Sequence, residues 1–128
     1  MPRLSTTSLS TIGDWAHGHS EDDVYRAVLG FVDEASSMAD EELARAISDE
    51  PQSSGDDRVD ALLAAAAEHV ACHRQLPAPP WCSKPGRFLA SAWFPIDTPS
   101  VRVRAIVSAP AAFWRRLIFI DRSDLSRV

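Results

Sequence analysis

The stretch DTPSVRVRAIVSAP, residues 97–110, carries two incompatible instructions, and the choice between them decides the fold. Val101, Val103, Ala105 and Val107 recur at every second position, the period of a half-buried strand. Thr98 or Ser100 ahead of the run, with Pro99 between them, reads instead as a helix start. Period alone favours the strand. A lone strand needs a partner, however, and the only other candidate is LIFI at 117–120. The periodic stretches upstream are helical in pattern. The reading is therefore an all-α domain of about five to six short helices, with one small C-terminal hairpin left open.

The clearest helix starts at Ser20. Ser20 is a good N-cap, Glu21, Asp22 and Asp23 suit the positive end of the helix dipole, and Asp23 holds the capping-box position. Val24, Ala27, Val28, Phe31, Val32 and Ala35 then follow one helical stripe until Ser36 or Ser37. A shorter helix over 38–47 turns Leu43, Ala46 and Ile47 inward and Asp40, Glu41 and Glu42 outward. SDEPQSSGDD is a loop punctuated by Pro51 and Gly55. Asp56 or Asp57 caps a third helix over 58–73, with Val59, Leu62, Leu63, Ala66, Val70 and His73 on one face. Its AAAA run at 64–67 favours helix and allows close approach of a neighbour. Pro85 suits a first helical position, and Phe88, Leu89, Ala92 and Trp93 outline a short apolar face ending at Pro95. A short helix over 111–116 and a last turn through Leu125, capped by Asp121 or Ser123, complete the chain.

The domain reading has four parts: a loose arm at 1–19, an acidic helical half at 20–75, a Pro-rich link at 76–80, and a basic, aromatic-rich half at 81–128. Trp15 in the arm either packs back on the body or anchors a partner. The net charge of −5 over 128 residues conceals a split. Residues 1–70 hold fifteen Asp and Glu against four arginines, whereas residues 71–128 hold Lys84 and eight arginines against three aspartates. Such a split marks either a charged partner or two halves that attract each other. The two cysteines make no disulfide framework, and neither a leader nor a spanning segment is legible, so a reduced, cytoplasmic protein is expected.

Few chemistries fit. The chain has no G-x-S-x-G elbow and no Gly-rich phosphate loop. The acid pairs Asp22/Asp23, Glu41/Glu42 and Asp56/Asp57 fall at helix starts, where the dipole accounts for them. His69 and His73 lie one turn apart near Cys72 and Cys82, but the spacing matches no zinc module, so neither metal nor cofactor is expected. An enzyme would instead announce itself by a pocket holding His69, His73 and an acid. Nucleic-acid binding through the basic half is the alternative to protein binding, since Arg and aromatics interleave there.

Three stretches together resemble a known family: DRVDALLAAAAEHVACHRQLPAPPW (57–81), GRFLASAWFP (86–95) and SVRVRAIVSAPAAFWRRLIFIDRSDLSRV (100–128). They are similar to small actinobacterial antitoxin-like proteins, encoded beside a toxin that is a nucleotidyltransferase or a zeta-type kinase. Pro79, Trp81, Phe88, Leu89, Trp93 and Phe94 match the family's middle motif, and Phe113, Arg115, Arg116, Ile118 and Phe119 its closing one. Two departures stand. No N-terminal helix-turn-helix is legible, and Leu117 occupies the place of the family's Gly or Asn. The resemblance implies an antitoxin that occludes its cognate toxin. On that reading Glu21, Asp22, Asp23 and Asp33 fill a basic phosphate pocket and Trp15 anchors the contact. Phe113, Trp114, Ile118 and Phe119 either pack the C-terminal half or anchor the partner, and Arg115 and Arg116 either pair with acids of the toxin or stay solvated at a helix end. The runner-up is a DNA-binding regulator acting through the basic half.

Overall fold

Ser8 opens the first helix: its hydroxyl oxygen accepts from the Thr11 backbone N–H at 3.2 Å, satisfying a donor that a helix start leaves unpaired. The computed structural model describes residues 8–125. Helix α1 spans Leu9–Ala16 and buries Leu9, Ile12, Gly13 and Ala16, one face at i, i+3, i+4 and i+7. The loose arm expected at 1–19 is thus corrected from residue 8 onward, and residues 1–7 lie outside the described residues. Gly13 explains how closely α1 can approach. A Cβ there would stand 2.7 Å from the Cβ of Pro51, so only hydrogen fits at this crossing.

Helix α2 (Glu21–Ala35) begins as its sequence dictates, with the Ser20 side chain accepting from the Asp23 N–H at 3.1 Å. Val24, Val28, Phe31, Val32 and Ala35 are buried. Helix α3 (Asp40–Ser48) has no side-chain cap and turns Leu43, Ala46 and Ile47 inward. Helix α4 (Asp57–His73) starts at Asp56, whose carboxylate accepts from the Arg58 N–H at 2.9 Å. Here one apolar face was expected, but every residue from Val59 to Ala67 is buried, and Val70 and Ala71 with them. Helices α1, α2 and α3 pack on α4 from the acidic half of the chain. From the basic half come two 3₁₀ turns, Pro80–Ser83 and Pro85–Arg87, and helix α6 (Ala111–Trp114). Alanine makes this possible, because its short side chain lets neighbouring backbones approach from several directions. The segments on both sides of the 76–80 link therefore share one core.

Helix α4 ends in a Schellman motif. Gln75 takes φ 60°, its N–H donates to the Cys72 carbonyl at 3.0 Å, and the Leu76 N–H reaches back to Ala71 at 2.8 Å. The helical face expected over Phe88, Leu89, Ala92 and Trp93 does not form. Ala92 is exposed, and Trp93 uses its backbone in an isolated parallel bridge to Ile118. The Trp93 N–H donates to the Leu117 carbonyl at 2.8 Å and its carbonyl accepts from the Phe119 N–H at 2.9 Å.

The contested stretch is helix α5 (Pro99–Ser108), with Pro99 in the first turn, where its missing N–H costs nothing. The LIFI run finds its partner in Trp93 instead of in 101–107, so no hairpin forms among the described residues. Here the helix start at Pro99 prevails over the strand alternation of the sequence. After α6, Leu117 takes φ 64°, the left-handed conformation that Gly or Asn adopts most cheaply. A last 3₁₀ turn, Arg122–Leu125, follows Asp121, whose carboxylate accepts from the Ser123 N–H at 3.1 Å. The domain is all-α. Among the described residues no helix is long and apolar enough to cross a membrane.

Candidate partner-binding surface

Two arginines of the basic half are buried, and they bind the halves together. Arg87 donates to the carbonyls of Asp60 at 3.1 Å and Pro51 at 2.8 Å and to the Glu50 carboxylate at 2.9 Å, while its guanidinium lies 4.9 Å from the centre of the Trp81 ring. Trp81 in turn donates its indole N–H to the Ile47 carbonyl at 3.0 Å. Arg116, 1% exposed, donates to Glu68 at 2.6 Å and to the carbonyls of Ala112 and Cys82, each at 2.8 Å, with the Phe88 ring 4.5 Å away. Its Nε has no hydrogen-bond partner among the described residues. Arg115 takes the other Glu68 oxygen. Planar guanidinium groups suit this role because they offer several donors in fixed directions.

These contacts correct part of the expected partner site. Arg116 and Phe113 are interior residues, so neither presents a surface to a partner. Arg115 stays exposed but is paired with Glu68, and Phe119 is half-buried with its ring stacked 5.3 Å from Phe94. The charge split has an internal use: of the nine ion pairs among the described residues, five join residues 1–70 to residues 71–128. Glu50, held by Lys84 and Arg87, has its carboxyl pulled below the usual range. Burial pushes the Cys82 thiol up to about 11, leaving Cys72 as the exposed cysteine.

The remaining expected residues are accessible. Trp114 is 55% exposed, and Trp15 is exposed with its ring stacked 3.8 Å from His19. Glu21, Asp22 and Asp23 form the first turn of α2 beside the first turn of α4, so Asp56 and Asp57 extend the same acidic edge. Crowding is felt there. Burial first, and then the Asp56 carboxyl, raise Glu21 above its ordinary value against the pull of Arg58. Asp33 is set apart, near the other end of α2, where it lines a cleft described below.

Sequence reasoning missed the largest apolar exposure. Helix α5 buries only Ala105, and presents Val103 at 63%, Ile106 at 52% and Val107 at 82% exposure. Positions i, i+3 and i+4 make these three a continuous ridge on one helical face. The ridge is anchored at its flanks. Arg102 grips Asp97 through two nitrogens at 3.0 and 3.1 Å, and Arg104 binds Asp121 at 2.9 Å, holding that carboxyl below its usual range. The available signal was the helix reading itself: wound at 3.6 residues per turn, Val103 and Val107 leave the alternating set and gather with Ile106 on one side.

Between α2, α4 and the last turn lies a cleft of about 320 Å³, walled by apolar Val32, Leu43, Val70 and Leu125. His69, His73, Arg74, Arg122 and Asp33 also line it. It therefore holds His69, His73 and an acid, the combination set out above as the structural clue to an enzyme. The two imidazoles sit 5.3 Å apart, and His69 rests edge-on against Phe113 at 5.7 Å. Burial, then the charges of His73 and Arg122, lower His69 to about 4. Among the described residues no three His, Cys, Asp or Glu side chains converge to hold a metal ion. Comparison with family models, curated proteins and solved structures found no match for this chain.

Proposed function

We propose that the chain is a protein-binding inhibitor of the antitoxin kind, which docks on a cognate toxin through α5 and occludes its nucleotide site. The observation that carries this reading is the α5 ridge: Val103, Ile106 and Val107 stand in water on a helix whose flanks are fixed by ion pairs. A preorganised apolar ridge suits a groove on a partner, because little ordering entropy is lost on binding. The partner class comes from the family resemblance, a nucleotidyltransferase or zeta-type kinase, and charge complementarity supports it. An enzyme that binds phosphates has a basic pocket, and the edge formed by Glu21, Asp22, Asp23, Asp56 and Asp57 offers the matching charge.

DNA binding, the other reading of the basic half, has weaker support. Arg74, Lys84, Arg87, Arg102, Arg104, Arg115 and Arg116 are each paired with an acid of the chain itself. Neutralised in this way, they have little left for phosphates. The test is co-expression of the tagged chain with the product of the adjacent gene, scoring growth and co-purification. The wild type is expected to rescue growth and carry the partner through purification. The Val103→Lys/Val107→Lys variant, still folded, should lose both. No complex and no toxicity from the neighbour would overturn the proposal, as would full capture by the double variant.

A further inference from the structure

We propose that the cleft between α2, α4 and the last 3₁₀ turn binds a small organic oxyanion, with its charged end between His73 and Arg122 and its apolar body against Val70 and Leu125. The cleft's size, about 320 Å³, lies at the lower end of the range typical of small-molecule sites. Its lining combines aliphatic side chains with nitrogen donors.

The donors are what select an anion. Arg74 is already committed to the Asp40 carboxylate and to the carbonyls of Ala35 and Met38. Arg122 has no ion pair among the described residues, and neither imidazole has a protein hydrogen-bond partner there; their contacts are with each other and with Phe113. Three nitrogen-bearing side chains, His69, His73 and Arg122, thus line the cleft with donors uncommitted among the described residues. Asp33, the acid among the described lining residues, is placed to accept from a hydroxyl or amino group of the same ligand. His69 is held neutral by its surroundings and offers a ring N–H without adding charge. A guanidinium and an imidazole lining one cleft suit carboxylate and phosphate alike.

The inference is independent of the α5 reading, since no α5 residue lines the cleft. It is tested by following the His69 and His73 ring resonances of the full chain by NMR. Phenyl phosphate, benzoate and the neutral benzyl alcohol are each titrated separately. Saturable shifts of both rings are expected with at least one anion, at a dissociation constant of about a millimolar or tighter. The tighter anion identifies phosphate or carboxylate as the ligand class. Arg122→Ala should weaken that binding tenfold or more while leaving the melting temperature unchanged, because Arg122 is exposed and its backbone N–H, not its side chain, bonds Ser108. Silence with both anions would overturn the proposal, and so would equal shifts with benzyl alcohol or undiminished binding by Arg122→Ala.

Discussion

Helices α4 and α5 are both rich in small and branched apolar residues, yet they meet opposite fates. In α4 eleven of seventeen residues are buried; in α5 one of ten is. Apolar content does not explain the difference. Side-chain size and position in the chain do. The alanines of α4 let six other elements close around it, whereas α5 enters late, fixed at its flanks by ion pairs and facing water with its branched side chains. Burial follows from what can be surrounded, and an apolar residue left outside is the informative exception.

The contrast breaks hardest at its centre. Ala65→Asp would put a carboxylate inside the apolar core, where the residue is 0% exposed. The expected outcome is loss of several kcal/mol, enough to unfold a domain of ordinary stability, and circular dichroism should show no cooperative melt at 25 °C. A retained native melt would mean that α4 is less enclosed than described.

Acid should loosen the same helix from its C-terminal end. His69 takes up its proton near pH 6.5 when unfolded but near 4 when folded, so between those values the unfolded chain binds more protons. Stability is therefore fully present above about pH 6.5 and falls as the pH drops towards 4, by about 2 kcal/mol once partial solvent access is discounted. His69→Gln, compared with wild type over this range by urea melts, should flatten that part of the profile. An unchanged slope would place its cause among the carboxylates.

The smallest effect belongs to α5. Val107→Lys changes a residue 82% exposed, near a helix C-terminus where a cation is welcome. Its melting free energy should stay within about 0.5 kcal/mol of wild type. A larger loss would show that the ridge supports the fold rather than a partner.

Much of this architecture was legible. Ser20, Asp56 and the apolar stripes of α2, α3 and α4 appear in the structure as local chemistry dictates, because caps and helical period act over a few residues. Helix α1 was missed although Leu9, Ile12, Gly13 and Ala16 carry its period, for it is only two turns long and small polar residues surround it. The roles of Arg87 and Arg116 were not legible. Both depend on carbonyls contributed by distant segments, Pro51 and Asp60 for one and Cys82 and Ala112 for the other. No local pattern announces that those oxygens will gather. The candidate surface divides the same way: its acidic edge could be read from helix starts, but the α5 ridge became visible only once helix replaced strand.

One carboxylate has a kinetic consequence. Glu68 holds Arg115 and Arg116 from 47 and 48 residues away, whereas the alanine-rich turns around it form from neighbours along the chain. Closing so long a segment costs entropy before it returns any interaction, which places the Glu68 clasp late on the route to the native state. Contacts made late are absent from the rate-limiting barrier, so this clasp governs how slowly the domain comes apart and has little bearing on how fast it assembles.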